Sequence, residues 1–217
     1  MKKTVVAFFL LVLCLSVFAQ NGVIRELSGT VEIKAPGDSE YIPANSGDQI
    51  SQNTIISTGF RSTALVEVGS ARINVRPLTR LSLAEISAAS GTETVNVNLQ
   101  AGRVRVDVNP PAGSRASMSV TSPSATASVR GTSFDFDGRN IRVHHGKVGF
   151  KGTKGPQMLV NAGSNSKVEQ SGKAADPVEE KKNKLRPPKP VGTDSSSGTT
   201  GDTAPSSGML AIEITYN

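Results

Sequence analysis

The 217-residue chain has no tryptophan, two tyrosines, two histidines and a single cysteine, Cys14, which sits in the apolar stretch at its start. Each shortage removes a class of function. Without cysteines beyond that stretch, no disulfide framework can hold the fold. With so few aromatic side chains there are no stacking platforms for bases or sugars. The two histidines, His144 and His145, are adjacent; on a strand their side chains would leave opposite faces and could not chelate one metal ion. No cofactor or metal site is expected. Long apolar runs are also missing after the first, Thr4 to Leu15, and that one is shorter than the ~20 residues a spanning helix needs.

That first run is itself informative. Lys2 and Lys3 precede it and Val17-Phe18-Ala19 follows, which is the pattern of a secretory signal cleaved after Ala19. Leu13 stands where lipidation of Cys14 would require a small residue, so a lipid anchor is not expected. The expected domains are therefore a signal peptide over 1–19, a β domain over 20–171, a linker over 172–208 and a strand over 209–217. Loss of Lys2 and Lys3 leaves 22 basic against 18 acidic side chains, a formal charge of +4. So mild a basic balance, spread along the chain, does not suit a nucleic-acid partner. After cleavage no stable membrane span remains.

Alternation fills the middle of the chain. Val104, Val106 and Val108 alternate with Arg103, Arg105 and Asp107; Val95, Val97 and Leu99 alternate with Asn96, Asn98 and Gln100. Similar runs cover Ile73–Val75 and Ile141–Val143. A period of two with polar interruptions predicts short, half-buried strands in a β-sandwich or β-roll. Several runs open on glycine: Gly29-Thr-Val-Glu-Ile, Gly102-Arg-Val-Arg-Val, Gly146-Lys-Val-Gly-Phe. Asp137-Gly138-Arg139-Asn140 predicts a hairpin, Gln100-Ala101-Gly102 a tight turn, and Asn109-Pro110-Pro111-Ala112-Gly113 a loop. Within Leu78–Ser87, Ala84-Glu85-Ile86 reads as a single helical turn.

From Gly172 to Gly208 the chain turns to charge, proline and small polar residues. Too little apolar material remains to offset ordering entropy, so a disordered tether is expected. It ends in a clean alternation, Leu210, Ile212, Ile214 and Tyr216. That strand would either pair with an open edge of its own domain or be donated to a partner.

Candidate chemistry is sparse. Asp135 and Asp137 share a face beside a turn, but the later ligands of a calcium loop are absent. Their neighbours Phe134 and Phe136 read as core, with the aspartates left in water. No phosphate-cradling loop, nucleophile elbow or dinucleotide fingerprint occurs. The segment Val129-Arg130-Gly131-Thr132 interrupts one alternation and starts another, which predicts a bend. Arg130 there reads either as a half-buried clamp paired with a carboxylate or as a ligand contact, flanked by Gly131 and Thr132. Stripes of Arg, Asn and Thr form either a recognition face for protein or glycan or a solvated sheet surface.

The ordered set Gly29-Thr-Val-Glu-Ile, Gly47-Asp-Gln-Ile, Ser57-Thr-Gly59, Leu99-Gln-Ala-Gly-Arg-Val-Arg-Val, Pro123-Ser-Ala-Thr-Ala-Ser-Val-Arg-Gly-Thr-Ser-Phe and Val160-Asn-Ala-Gly163 resembles the FecR-like domain family over residues 22–170. Well-known members are membrane-spanning regulators whose periplasmic part senses a loaded outer-membrane transporter and whose cytoplasmic segment controls a sigma factor. Only two lysines precede the apolar run here, and Val68-Gly69-Ser70 lacks the acidic residue usual in that block. The resemblance therefore implies the module and not sigma-factor control. The expectation is a non-catalytic periplasmic interaction or sensing module whose partner is an envelope protein. The alternative is a structural envelope protein that binds peptidoglycan, another glycan or an outer-membrane component. The expected location is the periplasm, or else the periphery of the outer membrane or the exterior.

Overall fold

The computed structural model describes residues 21–178, Ser90 excepted. In chain order the strands are β1 (Gly22–Ser28), β2 (Val31–Lys34), β3 (Ile42–Pro43), β4 (Gln49–Ile50), β5 (Ile55–Thr58) and β6 (Thr63–Val68). Then come β7 (Ala71–Val75), β8 (Arg80–Ala89), β9 (Thr92–Ala101), β10 (Val104–Val108), β11 (Arg115–Thr121) and β12 (Ala125–Val129). The last are β13 (Ser133–Phe136), β14 (Asn140–His145), β15 (Lys147–Gly152), β16 (Met158–Asn161) and β17 (Asn165–Lys167).

They form two sheets. One has eight strands in the order β17-β14-β13-β10-β7-β6-β1-β4; the other has nine, β16-β15-β12-β11-β9-β8-β5-β2-β3. In both sheets the order follows the chain apart from the first end, so the chain winds from sheet to sheet as it advances along the module. Neighbours are antiparallel except β9 and β11, which run parallel because β10 crosses to the other sheet between them. The all-β expectation holds.

Alternation explains the core. Val104, Val106 and Val108 are buried while Arg105 and Asp107 face outward. The same pattern on β7, β13 and β14 turns Ile73, Val75, Phe134, Phe136, Ile141 and Val143 inward. The inward residues of both sheets make one cluster, in which Phe136 and Phe150 meet edge to face with centroids 6.1 Å apart. That contact joins the sheets, since Phe136 lies on β13 and Phe150 on β15.

Switching sheets breaks the ladder and leaves backbone groups in need of partners. Three switches solve this in one way, with a glycine at one corner lying against a buried hydroxyl at another. Gly102, between β9 and β10, has φ +92°, and a Cβ there would lie 2.5 Å from Thr79 Cα and 2.6 Å from the Leu78 carbonyl oxygen. Thr79, between β7 and β8, is 1% exposed; its Oγ1 accepts from Arg103 N at 2.9 Å. Gly29 packs likewise on Ser62, whose Oγ accepts from Thr30 N at 2.8 Å. Gly146 packs on Thr132, whose Oγ1 donates to the Lys147 carbonyl at 3.0 Å. The three glycine-led runs in the sequence are these corners. Gln100-Ala101-Gly102 is thus a turn between sheets rather than a hairpin.

Two local expectations need correction. Ala84-Glu85-Ile86 is not a helical turn but part of β8, where the register with β9 shifts between Leu83 and Glu85. Ala84 is the extra residue of a β-bulge, which spaces the buried Leu83 and Ile86 three apart and imitates a helical period. Residues 174–177, expected in the linker, are also held against the β domain. Ala175 N donates to the Lys167 carbonyl at 2.8 Å, Ala174 bridges Val168, and Pro177 is buried. The hairpin at Asp137–Asn140 and the loop at 109–113 are as expected.

Candidate functional site

The two outer faces differ in chemistry. On the nine-stranded sheet, Asn96 stands opposite Ser119 and Ser119 opposite Ser128; Asn98 stands opposite Thr121 and Thr121 opposite Thr126. That surface is a grid of hydroxyls and amides, tied by Ser119 Oγ to Asn96 Oδ1 at 2.6 Å. On the eight-stranded sheet the grid is charged. Arg105 faces Asp135, Asp135 faces Arg142, and Arg142 faces Asn165, across β10, β13, β14 and β17. The Arg, Asn and Thr stripes of the sequence are therefore unevenly shared: charge concentrates on β10, β13 and β14, while the neutral grid on β9, β11 and β12 is bordered by Glu85 and Lys151.

A cleft of about 730 Å³ opens on the charged side, lined by Arg76, Arg103 and Arg142 with Asp135, Asp137 and Asn140 among its walls. The corner hydrogen bond from Arg76 N to the Arg103 carbonyl, 3.0 Å, holds two of these arginines side by side. Both carboxylates are occupied. Asp135 Oδ2 lies 2.6 Å from His144 Nε2. Asp137 Oδ1 accepts from the backbone N–H groups of Asn140, 2.7 Å, and Arg139, 3.0 Å, while the Asn140 amide reaches Oδ2 at 3.0 Å. Burial raises the Asp137 pKa, but the hydrogen bonds from Asn140 and Arg139 and the field of Arg103 outweigh it, so the carboxyl sits below its ordinary value. The arginines are not occupied. Among the described residues the ion pairs of at most 4.0 Å are Arg25–Glu67, Arg72–Glu67, Arg105–Asp107 and His144–Asp135. Arg76, Arg103 and Arg142 are in none of them. Three guanidiniums without an ion pair among the described residues stand around one cleft, an arrangement that suits an anionic group.

Catalytic geometry is less complete. His144 and Asp135 form the orienting half of a nucleophile triad, but among the described residues no hydroxyl or thiol bonds the imidazole. Nor, among those residues, do three or more His, Cys, Asp or Glu side chains gather as a metal site would require. No helix among them is long and apolar enough to cross a membrane.

The bend at Arg130-Gly131-Thr132 is the switch from β12 to β13, but its parts play other roles than expected. Arg130 is exposed and makes no ion pair among the described residues, so it is not a half-buried clamp. It lines a shallow hollow with Thr92, Pro110 and Arg115. Thr132, 3% exposed, is the clamp: its hydroxyl bonds the Lys147 carbonyl and its carbonyl accepts from Val108 N at 3.0 Å. Gly131 has φ +142° with nothing nearer than 3.8 Å to an added Cβ, so conformation and not space calls for glycine there. An arginine at a corner extends to water, whereas a threonine's short hydroxyl reaches the backbone beside it. Phe134 and Phe136 are fully buried, as expected, and His144 and His145 are both exposed. The signal peptide expected over 1–19 and the strand expected over 209–217, with Leu210, Ile212, Ile214 and Tyr216, lie outside the described residues.

Sequence reading missed the cleft arginines as a group. Each is an ordinary polar residue at a strand end or on an outward face, and only the pairing of β7, β10 and β14 through β13 brings them together.

Comparison with known proteins bears on this arrangement. Residues 54–149, which include all three cleft arginines, match the family model described as FecR protein. No curated protein matches the chain. Among solved structures it is similar to two crystal structures of a Parabacteroides distasonis ATCC 8503 protein described as a candidate anti-sigma factor. They are 17% and 16% identical, each with a TM-score of 0.45. The match covers 58% of this chain and 62% of each of those chains. Over residues 54–149, then, the chain is similar to the FecR family.

Proposed function

We propose that this chain is a non-catalytic periplasmic module of the bacterial cell envelope that recognises an envelope protein through its charged face. The reading rests on the cleft, where three arginines without carboxylate partners stand beside two carboxylates that are already engaged. A surface so arranged favours an anionic group from outside over internal pairing, and its polar rim suits a specific and reversible contact. The FecR domain, together with the export signal read from the sequence, supports the envelope setting.

Mild crosslinking in cells, followed by recovery of the chain, tests this. One protein should be captured, and Arg103→Glu with Arg142→Glu should lose it while circular dichroism shows the domain still folded at the assay temperature. Capture that survives both charge reversals sinks the assignment of the cleft.

The hydroxyl and amide grid on the other face supports the alternative, a structural role in which that face lies along peptidoglycan or another glycan. Neutral donors and acceptors at the 4.7–4.9 Å strand spacing can hydrogen-bond a saccharide chain without charge. Co-sedimentation with purified sacculi that is lost in Asn96→Ala with Thr121→Ala, and kept in the arginine variants, would assign the function to that face.

A further inference from the structure

Two apolar side chains stand in water at neighbouring corners of the fold, one of them on a backbone that disfavours it. Phe60, in the corner between β5 and β6, is 72% exposed, and Leu78, in the corner between β7 and β8, is 61% exposed. They belong to one ridge, because Leu78 N donates to the Gly59 carbonyl at 3.2 Å and Thr58 N to the Thr79 carbonyl at 2.9 Å. Leu78 has φ +56° and Arg61, beside Phe60, has φ +55°. That left-handed conformation disfavours any residue with a Cβ, a branched leucine among them, and suits glycine or asparagine. Neither apolar group packs in the core, so burial elsewhere does not account for them.

The corners themselves carry charge of one sign, although Arg76 and Arg103 also border the cleft that holds Asp135 and Asp137. Arg61, Arg76, Arg80 and Arg103 come from the same three corners, and the segments 58–62, 76–80 and 100–103 contain no acidic residue. None of the four arginines is in an ion pair among the described residues. The Arg61 guanidinium lies 5.5 Å from the Phe60 ring centroid, which ties charge and apolar group into one unit.

We propose that this ridge docks on an anionic phospholipid surface, with Phe60 and Leu78 entering the headgroup boundary and the arginines meeting lipid phosphates. Phe60 projects from its turn and Leu78 stands at the edge of an open hollow beside Arg80 and Gln100, and a soft surface can close around both. The charge gives the sign of that surface. Apolar insertion and a basic cluster are the two weak signals that together hold a protein at a membrane face. This goes beyond the protein-recognition reading and does not rest on it.

The test is co-sedimentation of the full exported chain with vesicles of phosphatidylcholine alone and of phosphatidylcholine mixed with phosphatidylglycerol. Binding should require phosphatidylglycerol and weaken with salt. Phe60→Ser with Leu78→Asn should lower it about tenfold or more. Leu78→Asn alone should keep or raise the melting temperature, because asparagine tolerates the left-handed backbone. Arg61→Ser with Arg80→Ser, which leaves the core untouched, should lower binding and flatten its salt dependence, and carries the test by itself if the apolar variants misfold. Absence of binding, equal binding to neutral vesicles, or binding that survives these substitutions overturns the proposal. Capture of an envelope protein through Phe60 and Leu78 without vesicle binding would overturn it too and give the ridge to that partner.

Discussion

Replacing Gly102 by alanine tests the corner architecture most directly. The added methyl group meets two separate costs. The backbone at φ +92° disfavours any L side chain, by about 1–2 kcal/mol. The new Cβ would also lie 2.5 Å from Thr79 Cα and 2.6 Å from the Leu78 carbonyl, backbone atoms that cannot rotate away. Overpacking of this sort costs about 1–3 kcal/mol. The shift needed to relieve it also disturbs the bond from Arg103 N to Thr79 Oγ1, worth about 1 kcal/mol. The expected loss is about 3–6 kcal/mol, a large part of the ~5–15 kcal/mol typical of a folded domain. Gly163 supplies the control: φ is +73°, but an added Cβ meets nothing within 4 Å, so Gly163→Ala should cost only the conformational ~1–2 kcal/mol. Urea unfolding with the slope held common to all variants gives both numbers. If the two substitutions differ by less than about 1 kcal/mol, close packing of glycine against the hydroxyl corner does not support the fold.

Arg130→Ala should leave stability within about 0.5 kcal/mol of wild type, as for an ordinary surface site. Thr132→Val, nearly isosteric, should cost about 1 kcal/mol in the same assay through the lost bond to Lys147. Because the Asp137 carboxyl is held below its ordinary value of 3.8, its stabilising contribution is present above that pH and is lost as pH falls through the folded value. Unfolding midpoints measured downward from about pH 4 should thus drop more steeply for wild type than for Asp137→Asn. Deleting residues 209–217 should lower the melting temperature if that strand pairs with its own domain; an unchanged melting temperature with loss of envelope-protein crosslinking gives the strand to the partner.

What the sequence displays of this fold is whatever repeats at short range. The alternation of valine with arginine on β10, or phenylalanine with aspartate on β13, specifies inside and outside without reference to any other strand. The hairpin at Asp137–Asn140 is equally local. Reading failed where local pattern and ladder part company. The bulge at Ala84 slips the period by one residue, so Leu83 and Ile86 appear on a helical spacing although both remain in a strand. Ala174 and Ala175 look like linker because they carry little apolar surface, yet a ladder needs only their backbone groups. At the β12–β13 corner the disturbance of pattern is visible while its cause is not: the arginine draws attention, and the small hydroxyl two residues on makes the bonds.

The same corner logic separates residues that the fold requires from residues it merely permits. A chain that changes sheet must satisfy the backbone groups left unpaired, and Ser62, Thr79 and Thr132 do so from buried positions. Glycines must then lie against those hydroxyls, because a Cβ would displace them. Nothing in this scheme asks for a phenylalanine at position 60 or a leucine at 78. Both side chains point away from the core, and the leucine sits in a backbone conformation that a different residue would occupy at lower cost. Apart from the stacking of Arg61 on Phe60, these apolar groups neither fill the core nor ease a turn. Covering them would remove apolar surface from water, and the proposed anionic surface would do so while meeting the arginines of the same corners.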